Sequence, residues 1–183
     1  MLVHGQSAFE VFAKPVVSED GTSVRYDGFA TFTQGDLQFT YVLVDGKAYI
    51  VETTGNGTTS AASKTIRCLE SITPFDSIVA ALNTLKIIPR SEVADDFGEG
   101  CGSGTLLQTT RPFGGVNFSV CALGADGFVA YGGSMIMQVE YDVNPYLNIS
   151  TPAVTDGSAT CGIVSKPTPV TSTTLALLIG AEV

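Results

Sequence analysis

Residues 73–89 read TPFDSIVAALNTLKIIP, the segment on which we base the fold. Thr73 suits a helix N-cap because its hydroxyl can accept a free backbone N–H of the first turn, and Pro74 suits the next position because its missing N–H costs nothing there. Apolar side chains recur every three or four residues and therefore share one face: Phe75, Ile78, Leu82 and Leu85. We expect Pro89 to end the helix. So broad an apolar stripe must be covered, and the sequence predicts that a sheet covers it.

Strand patterns dominate the rest of the chain. Alternating apolar residues predict strands at Ala8–Lys14, Ser23–Gln34, Leu37–Val44, Lys47–Thr53, Thr65–Leu69, Leu106–Thr110, Val116–Leu123, Phe128–Tyr131 and Ser134–Val143. Asp45-Gly46 and Asp126-Gly127 predict tight hairpin turns, since type I′ turns need positive φ angles. The predicted fold class is α+β, a mainly antiparallel curved sheet, or half-barrel, wrapped around one amphipathic helix.

The predicted domain organisation is a single domain over residues 1–183. We expect a flexible N-terminus over residues 1–7 and a surface tail or late strand over residues 155–183. The apolar stretch TLALLIGA near the C-terminus is interpreted as a final strand that pairs with the sheet or with a neighbouring molecule. The beginning of a lipid-anchor signal is the alternative interpretation of that stretch.

The charge of the chain limits its partners. The formal net charge is −9, and the nine lysines and arginines are scattered along the sequence. A nucleic-acid-binding protein needs clustered basic residues that displace phosphate counterions, so neither nucleic acid nor an anionic membrane surface is an expected partner. No stretch approaches the roughly 20 apolar residues of a membrane-spanning helix, and we predict no transmembrane segment.

The cysteines and the glycosylation sequons favour an oxidising compartment. Cys68, Cys101, Cys121 and Cys161 lack the spacing of a zinc site, so no metal and no cofactor is expected. An even number of cysteines without metal spacing favours two disulfides. Acceptor sequons for N-glycosylation begin at Asn56, Asn117 and Asn148. Together these features predict a secreted glycoprotein; reduced core cysteines and unused sequons are the alternative.

Strand phase suggests a disulfide pairing. Cys68 shares a face with Ile66 and is expected to point inward, whereas Cys121 shares a face with Ser119 and is expected to point outward. We therefore prefer Cys68–Cys101 together with Cys121–Cys161. All three pairings of four cysteines remain open at this point.

Catalytic chemistry has little support in the sequence. The only histidine, His4, lies near the N-terminus, and there is no GxSxG nucleophile motif. A carboxylate pair for glycoside hydrolysis could be drawn from acids that are common on exposed surfaces: Asp95, Asp96, Glu99, Glu140 and Asp142. Residues 95–99 lack the spacing of a calcium-binding EF-hand. We predict that the protein is not an enzyme.

Several apolar side chains fall on the strand faces and the helix face that should oppose each other. Methionine and aromatic side chains adapt to irregular apolar ligands, although filling a core is their commoner role. The predicted ligand-lining residues are Phe32, Phe39, Tyr41, Leu82, Leu85, Met135 and Met137.

The order of the elements resembles the lipoprotein-carrier half-barrels. A hairpin reading LVDGKAYIV, an apolar helix and later hairpins ending in MQVEYDVNPYLNISTPA are similar to the periplasmic lipoprotein carrier and to the mycobacterial envelope lipoproteins of that shape. The resemblance covers roughly Phe9–Pro152 and implies a curved sheet that wraps short helices and shelters acyl chains. The cysteines and sequons depart from the bacterial pattern, and no lipid-anchoring cysteine opens the chain.

These observations lead to two hypotheses about function. The first is a secreted, non-enzymatic protein that holds a lipid or another apolar ligand between sheet and helix. The alternative is an extracellular structural or interaction module, such as a surface, appendage or effector protein, that assembles with a partner or with itself through β-strand contacts.

Overall fold

The chain forms two compact units, each built from separate segments of sequence. The computed structural model describes residues 4–55, 63–71, 75–90, 101–142, 148–155, 157 and 160–183. Unit 1 consists of Met1–Val16, Arg25–Pro74 and Leu147–Lys166, and unit 2 of Val17–Val24, Phe75–Tyr146 and Pro167–Val183. The single domain over residues 1–183 stays a prediction.

Unit 1 is built on a meander of five strands. These are β1 (Phe12–Val17), β2 (Ser23–Gln34), β3 (Leu37–Val44), β4 (Lys47–Thr54) and β5 (Ser63–Leu69), which lie side by side in chain order. Each strand from β2 to β5 pairs antiparallel with the next. The alternation of apolar residues predicted the bounds of β2 and β3, whereas the first strand lies at Phe12–Val17 and not at Ala8–Lys14.

The turn between β3 and β4 is fixed by its backbone and by nearby side chains. Asp45 and Gly46 both have positive φ angles, of 51° and 73°, as the Asp-Gly pair predicts. The carboxylate of Asp27 accepts the Asp45 backbone N–H at 3.0 Å, and Arg25 pairs with Asp45 at 2.8 Å. A Cβ at Gly46 would lie 2.5 Å from the carbonyl oxygen of Ser165, so only glycine fits there.

One face of the unit 1 sheet is covered by the later segment of this unit. Val44 and Tyr49 form a core cluster with Cys161 from that segment, and four partly buried residues pack against it: Val42, Cys68, Ile149 and Val154. At the β5 edge, Thr155 donates its N–H to the carbonyl of Ile66 at 2.9 Å. Its hydroxyl accepts the N–H of Ile66 at 2.7 Å.

Unit 2 holds a second antiparallel sheet and two helices. In chain order its elements are α1 (Phe75–Leu82), β6 (Leu85–Ile87), β7 (Thr105–Thr109), β8 (Ser119–Ala122), a 3₁₀ turn (Gly124–Asp126), β9 (Phe128–Gly132), β10 (Met135–Val139), β11 (Thr168–Pro169) and α2 (Ser172–Ile179). The sheet has the order β10-β9-β8-β7-β6. The short strand β11 pairs with Ser23 and Val24, the first two residues of β2, which belong to unit 2.

The core of unit 2 lies between this sheet and both helices. Leu82 of α1 and Leu177 of α2 share one buried cluster with side chains from the sheet: Leu107, Phe118, Val120, Ala122, Phe128 and Ala130. Helix α2 is capped at both ends. The hydroxyl of Thr171 accepts the N–H of Thr174, and Gly180 adopts the left-handed conformation beyond the last turn.

The α+β class with mainly antiparallel strands is confirmed, but several details differ from the prediction. The strands form two sheets, where a single sheet was expected. The predicted helix to Pro89 ends at Leu82, because residues 85–87 pair with β7 instead of continuing the helix. The C-terminal stretch predicted as a strand is the helix α2. Thr73 and Pro74 lie outside the described residues.

Two disulfides are confirmed, but the preferred pairing was wrong. Cys68 bonds to Cys161, within unit 1, and Cys101 bonds to Cys121, within unit 2. Cys121 does not point into water, since both faces of β8 are covered. Val120 faces the main core, while Cys121 lies in a smaller cluster with Cys101, Leu106 and Ile88.

Candidate ligand-binding site

Five aromatic rings gather on the other face of the unit 1 sheet. We call them the aromatic group: His4, Phe9, Phe32, Phe39 and Tyr41. Phe32 lies opposite Phe39 across β2 and β3, and directly opposed residues project from the same face of a sheet. The rings of Phe32 and Tyr41 meet edge to face, with centroids 5.7 Å apart. The alternation of these two strands therefore produces a continuous aromatic surface.

The N-terminal segment lies over this surface. The His4 ring stacks on Phe39 at a centroid distance of 4.3 Å, and its Nε2 atom is 2.8 Å from the hydroxyl of Tyr41. The Phe9 ring lies 5.3 Å from that of Phe32 and remains 41% exposed. The side chain of Gln6 donates a hydrogen bond to the carbonyl of Thr33 at 3.3 Å. The segment expected to be flexible thus contacts the sheet from His4 onward.

An ion pair borders the aromatic group. Glu52 lies opposite Phe39 across β3 and β4, and Arg67 of β5 donates a hydrogen bond to its carboxylate. That hydrogen bond and the charge of Glu52 raise the pKa of the Arg67 guanidinium above its ordinary value, with a smaller contribution from Tyr41. The Arg67 side chain is 51% exposed. This face therefore combines an aromatic surface with an accessible positive charge and a tyrosine hydroxyl.

The predicted ligand-lining residues fall into two groups. Phe32, Phe39 and Tyr41 belong to unit 1 and to the aromatic group. The other four belong to unit 2 and lie in or against its core cluster: Leu82, Leu85, Met135 and Met137. Within unit 2, Leu82 is only 4% exposed and packs as an ordinary core residue.

Unit 2 also carries a depression of about 380 Å³ beside the 3₁₀ turn and the end of β10. Its lining includes the acids Asp126 and Glu140, together with Gln138 and Tyr141. None of the seven predicted lining residues belongs to it. The pKa of the Tyr141 phenol is raised by burial, and the hydroxyl donates a hydrogen bond to the carbonyl of Leu177. This hydrogen bond connects Tyr141, which follows β10, to helix α2.

The predicted catalytic candidates do not converge in the described structure. Glu140 and Asp142 are exposed, while Asp95, Asp96 and Glu99 lie outside the described residues. His4 contacts aromatic rings, and the described residues place no cluster of three metal-ligating side chains together.

Two of the three sequons can be located. Asn117 and Asn148 are exposed, as glycan attachment requires, and Asn56 lies outside the described residues. Glycosylation itself stays a prediction.

Sequence reasoning identified three of the five aromatic rings as ligand-lining and missed His4 and Phe9. His4 precedes the first strand and follows no periodic pattern, so no local signal could place it. Phe9 was assigned to a strand over Ala8–Lys14, but β1 begins at Phe12.

The chain matches no protein-family model, no curated protein and no solved structure. None of the helices in the described ranges has the length and apolar character needed to cross a membrane.

Proposed function

We propose that this chain is a secreted, non-enzymatic binding protein that takes a lipid or another apolar ligand on the aromatic face of unit 1. The observation that carries the proposal is the aromatic group itself. Several large rings are presented on one sheet face, and described residues of the short N-terminal segment lie over them.

The chemistry of this face favours an amphiphile. Aromatic rings supply apolar area, and the Tyr41 hydroxyl supplies a hydrogen-bonding group at the edge of that area. The Arg67 side chain is half exposed and paired with Glu52, and its remaining N–H groups can bind a carboxylate or phosphate head group. The ligand would displace His4 and Phe9, whose rings lie on Phe39 and Phe32. The resemblance to carrier half-barrels also motivates a lipid ligand, and we propose that the sheet curves around that ligand.

Two disulfides and two exposed sequons support secretion as part of the same proposal. Disulfides form and persist in oxidising compartments.

Ligand binding is tested with protein purified from a secreting eukaryotic host. Native mass spectrometry is expected to find a co-purified lipid, and an apolar fluorophore should bind with saturation. Phe39→Ala should weaken fluorophore binding about tenfold, since it removes a ring that covers much of the site. The matched control is Phe113→Ala, a partly buried phenylalanine in unit 2.

Two outcomes would contradict the proposal. One is non-saturating fluorescence together with no bound lipid. The other is equal weakening by Phe39→Ala and Phe113→Ala, which would mean that the dye reports general unfolding.

A further inference from the structure

The outer edge of the unit 2 sheet lacks the usual protection against pairing with another strand. β10 is the outermost strand on one side, and its sequence MIMQV contains no charge and no proline. Every other edge strand in the described part carries lysine or proline: β1 has Lys14 and Pro15, β5 has Lys64, β6 has Lys86, and β11 has Pro169. Such residues block edge-to-edge pairing, so β10 is the open edge.

The hairpin register determines which backbone groups of β10 are free. Gly132 and Met135 close a two-residue loop, and residues flanking such a loop are hydrogen-bonded to each other. Hydrogen-bonded and non-hydrogen-bonded pairs then alternate along the ladder. The N–H and C=O groups of Ile136 and Gln138 therefore point away from β9. The described residues offer no hydrogen-bond partner for them.

We propose that β10 pairs antiparallel with β10 of a second copy of this chain, around a two-fold axis at Met137. In this register Ile136 lies opposite Gln138 of the second copy, and the reverse pair follows by symmetry. The four free groups on each copy then form four hydrogen bonds across the axis. No shift of the strand is needed, because the two outward-pointing residues are spaced symmetrically about Met137.

The side chains also suit this register. Met137 meets its own counterpart on the face that carries the unit 2 core, so the two apolar faces become continuous. Ile136 is 70% exposed in the single chain and would lie beside the aliphatic part of Gln138 of the second copy. Glu140 lies opposite Ser134 of the second copy, whose hydroxyl can donate to its carboxylate. Within residues 134–140 no like charges oppose each other.

A second copy fits this edge better than an unrelated strand. A two-fold interface uses the same surface on both partners, and β10 complements itself in both hydrogen bonds and side chains. The net charge of −9 on each copy opposes the association. Added salt screens that repulsion, so the dimer should strengthen as ionic strength rises.

Sedimentation velocity of the full chain tests the proposal between about 1 µM and about 1 mM, where weak association becomes measurable. We expect a monomer–dimer equilibrium that shifts toward dimer at higher salt. Ile136→Lys should weaken it at least about tenfold, because a lysine on the edge is a common block to pairing. The matched control is Ile87→Lys on β6, at the opposite edge of the same sheet. Ile87 is also 70% exposed, and its replacement should leave the dimer unchanged.

Gln138→Pro tests the backbone contacts directly. The backbone N–H of Gln138 does not bond to β9, so a proline there should leave the hairpin intact. It removes two of the four intermolecular hydrogen bonds, one from each copy. We expect about 30-fold weaker dimerisation, and little change for Gln138→Ala, which keeps the N–H. Unchanged thermal unfolding and far-UV circular dichroism of the monomers verify that the variants fold.

The proposal would be overturned by a chain that stays monomeric at every concentration and salt level. It would equally be overturned by a dimer that Ile87→Lys weakens and Ile136→Lys does not. Ile136 belongs to unit 2 and the aromatic group to unit 1, so fluorophore binding by Ile136→Lys reports separately on the proposed function.

Discussion

Removing the two disulfides one at a time should destabilise the protein to different extents. In the chain-entropy description, a disulfide stabilises by restricting the unfolded chain, and the effect grows with the length of the closed loop. The sequence separations are 93 residues for Cys68–Cys161 and 20 residues for Cys101–Cys121. These separations correspond to about 4.7 and about 3.3 kcal/mol at 25 °C. Replacing Cys68 and Cys161 by alanine should therefore cost about 1.4 kcal/mol more than replacing the other pair.

Burial does not reverse this order. Cys101, Cys121 and Cys161 are nearly fully buried, at 2%, 3% and 5% exposure, and Cys68 is partly buried, so the cavities left by removing one sulfur atom differ little between the pairs. The free energy of unfolding is measured by urea titration of both double variants without reductant. Hydrogen exchange should rise in residues 37–54 when the first pair is removed, and in residues 105–122 when the second pair is removed. These segments belong to unit 1 and unit 2 respectively.

Two results would refute this reasoning. The first is non-reducing peptide mapping that links Cys68 to Cys101 or Cys121. The second is a larger loss of stability for the Cys101 and Cys121 double variant, which would mean that native contacts outweigh loop closure.

Two further predictions concern the end of α2. Gly180→Ala should lower the free energy of unfolding by about 1–2 kcal/mol, because Gly180 has a φ of 76° and a Cβ there would lie 2.9 Å from the Tyr141 ring. The matched control in urea titration is Gly162→Ala, where a Cβ meets no atom within 4 Å, and a loss as large as that of Gly180→Ala would contradict the prediction. Burial raises the pKa of Tyr141 above its ordinary value of 10.0, so the folded state keeps this proton after the unfolded state has lost it. The contribution of the Tyr141 proton to the free energy of unfolding should thus be fully present below pH 10 and be lost as the pH rises above it. In urea titrations, Tyr141→Phe should lose less stability above pH 10 than the unmodified chain. Equal losses would mean that Tyr141 ionises freely in the folded state.

The sequence predicted unit 1 better than unit 2, and the reason is the range of the interactions. Strands β2 and β3 have the predicted boundaries because alternation and an Asp-Gly turn act between neighbouring segments. Leu85–Ile87 continues a helical pattern, but its conformation is decided by the ladder with β7, whose residues lie about twenty positions later. Tertiary pairing overrides local propensity in such a segment.

Helix α2 could have been predicted. Thr171 as N-cap and Gly180 just beyond the last turn are ordinary helix boundary signals, and they flank TLALLI. The disulfide pairing could not have been predicted from strand phase. Cys101 and Cys161 lie outside strands and have no phase, and the inference for Cys121 assumed that one face of its strand meets water.

The aromatic group could likewise be predicted only in part from the sequence. The phases of β2 and β3 put Phe32, Phe39 and Tyr41 on one face, which the sequence predicted. His4 and Phe9, which lie on them, come from the N-terminal segment, where Gly5 and the positive φ of His4 interrupt any regular pattern. Only the fold shows that this segment returns to the sheet.

The order of the cysteines along the chain also determines the order in which the two disulfides can form during synthesis. Strands β1–β5 emerge first, but the Cys68–Cys161 disulfide cannot form until Cys161 has been made, 93 residues later. At ordinary translation rates this interval is about 5–20 s. Cys101 and Cys121 emerge within the interval and can oxidise first. In the oxidising compartment that we propose, the Cys68 thiol would therefore meet the thiols of Cys101 and Cys121 before that of Cys161, and disulfide isomerases would correct the wrong pairings.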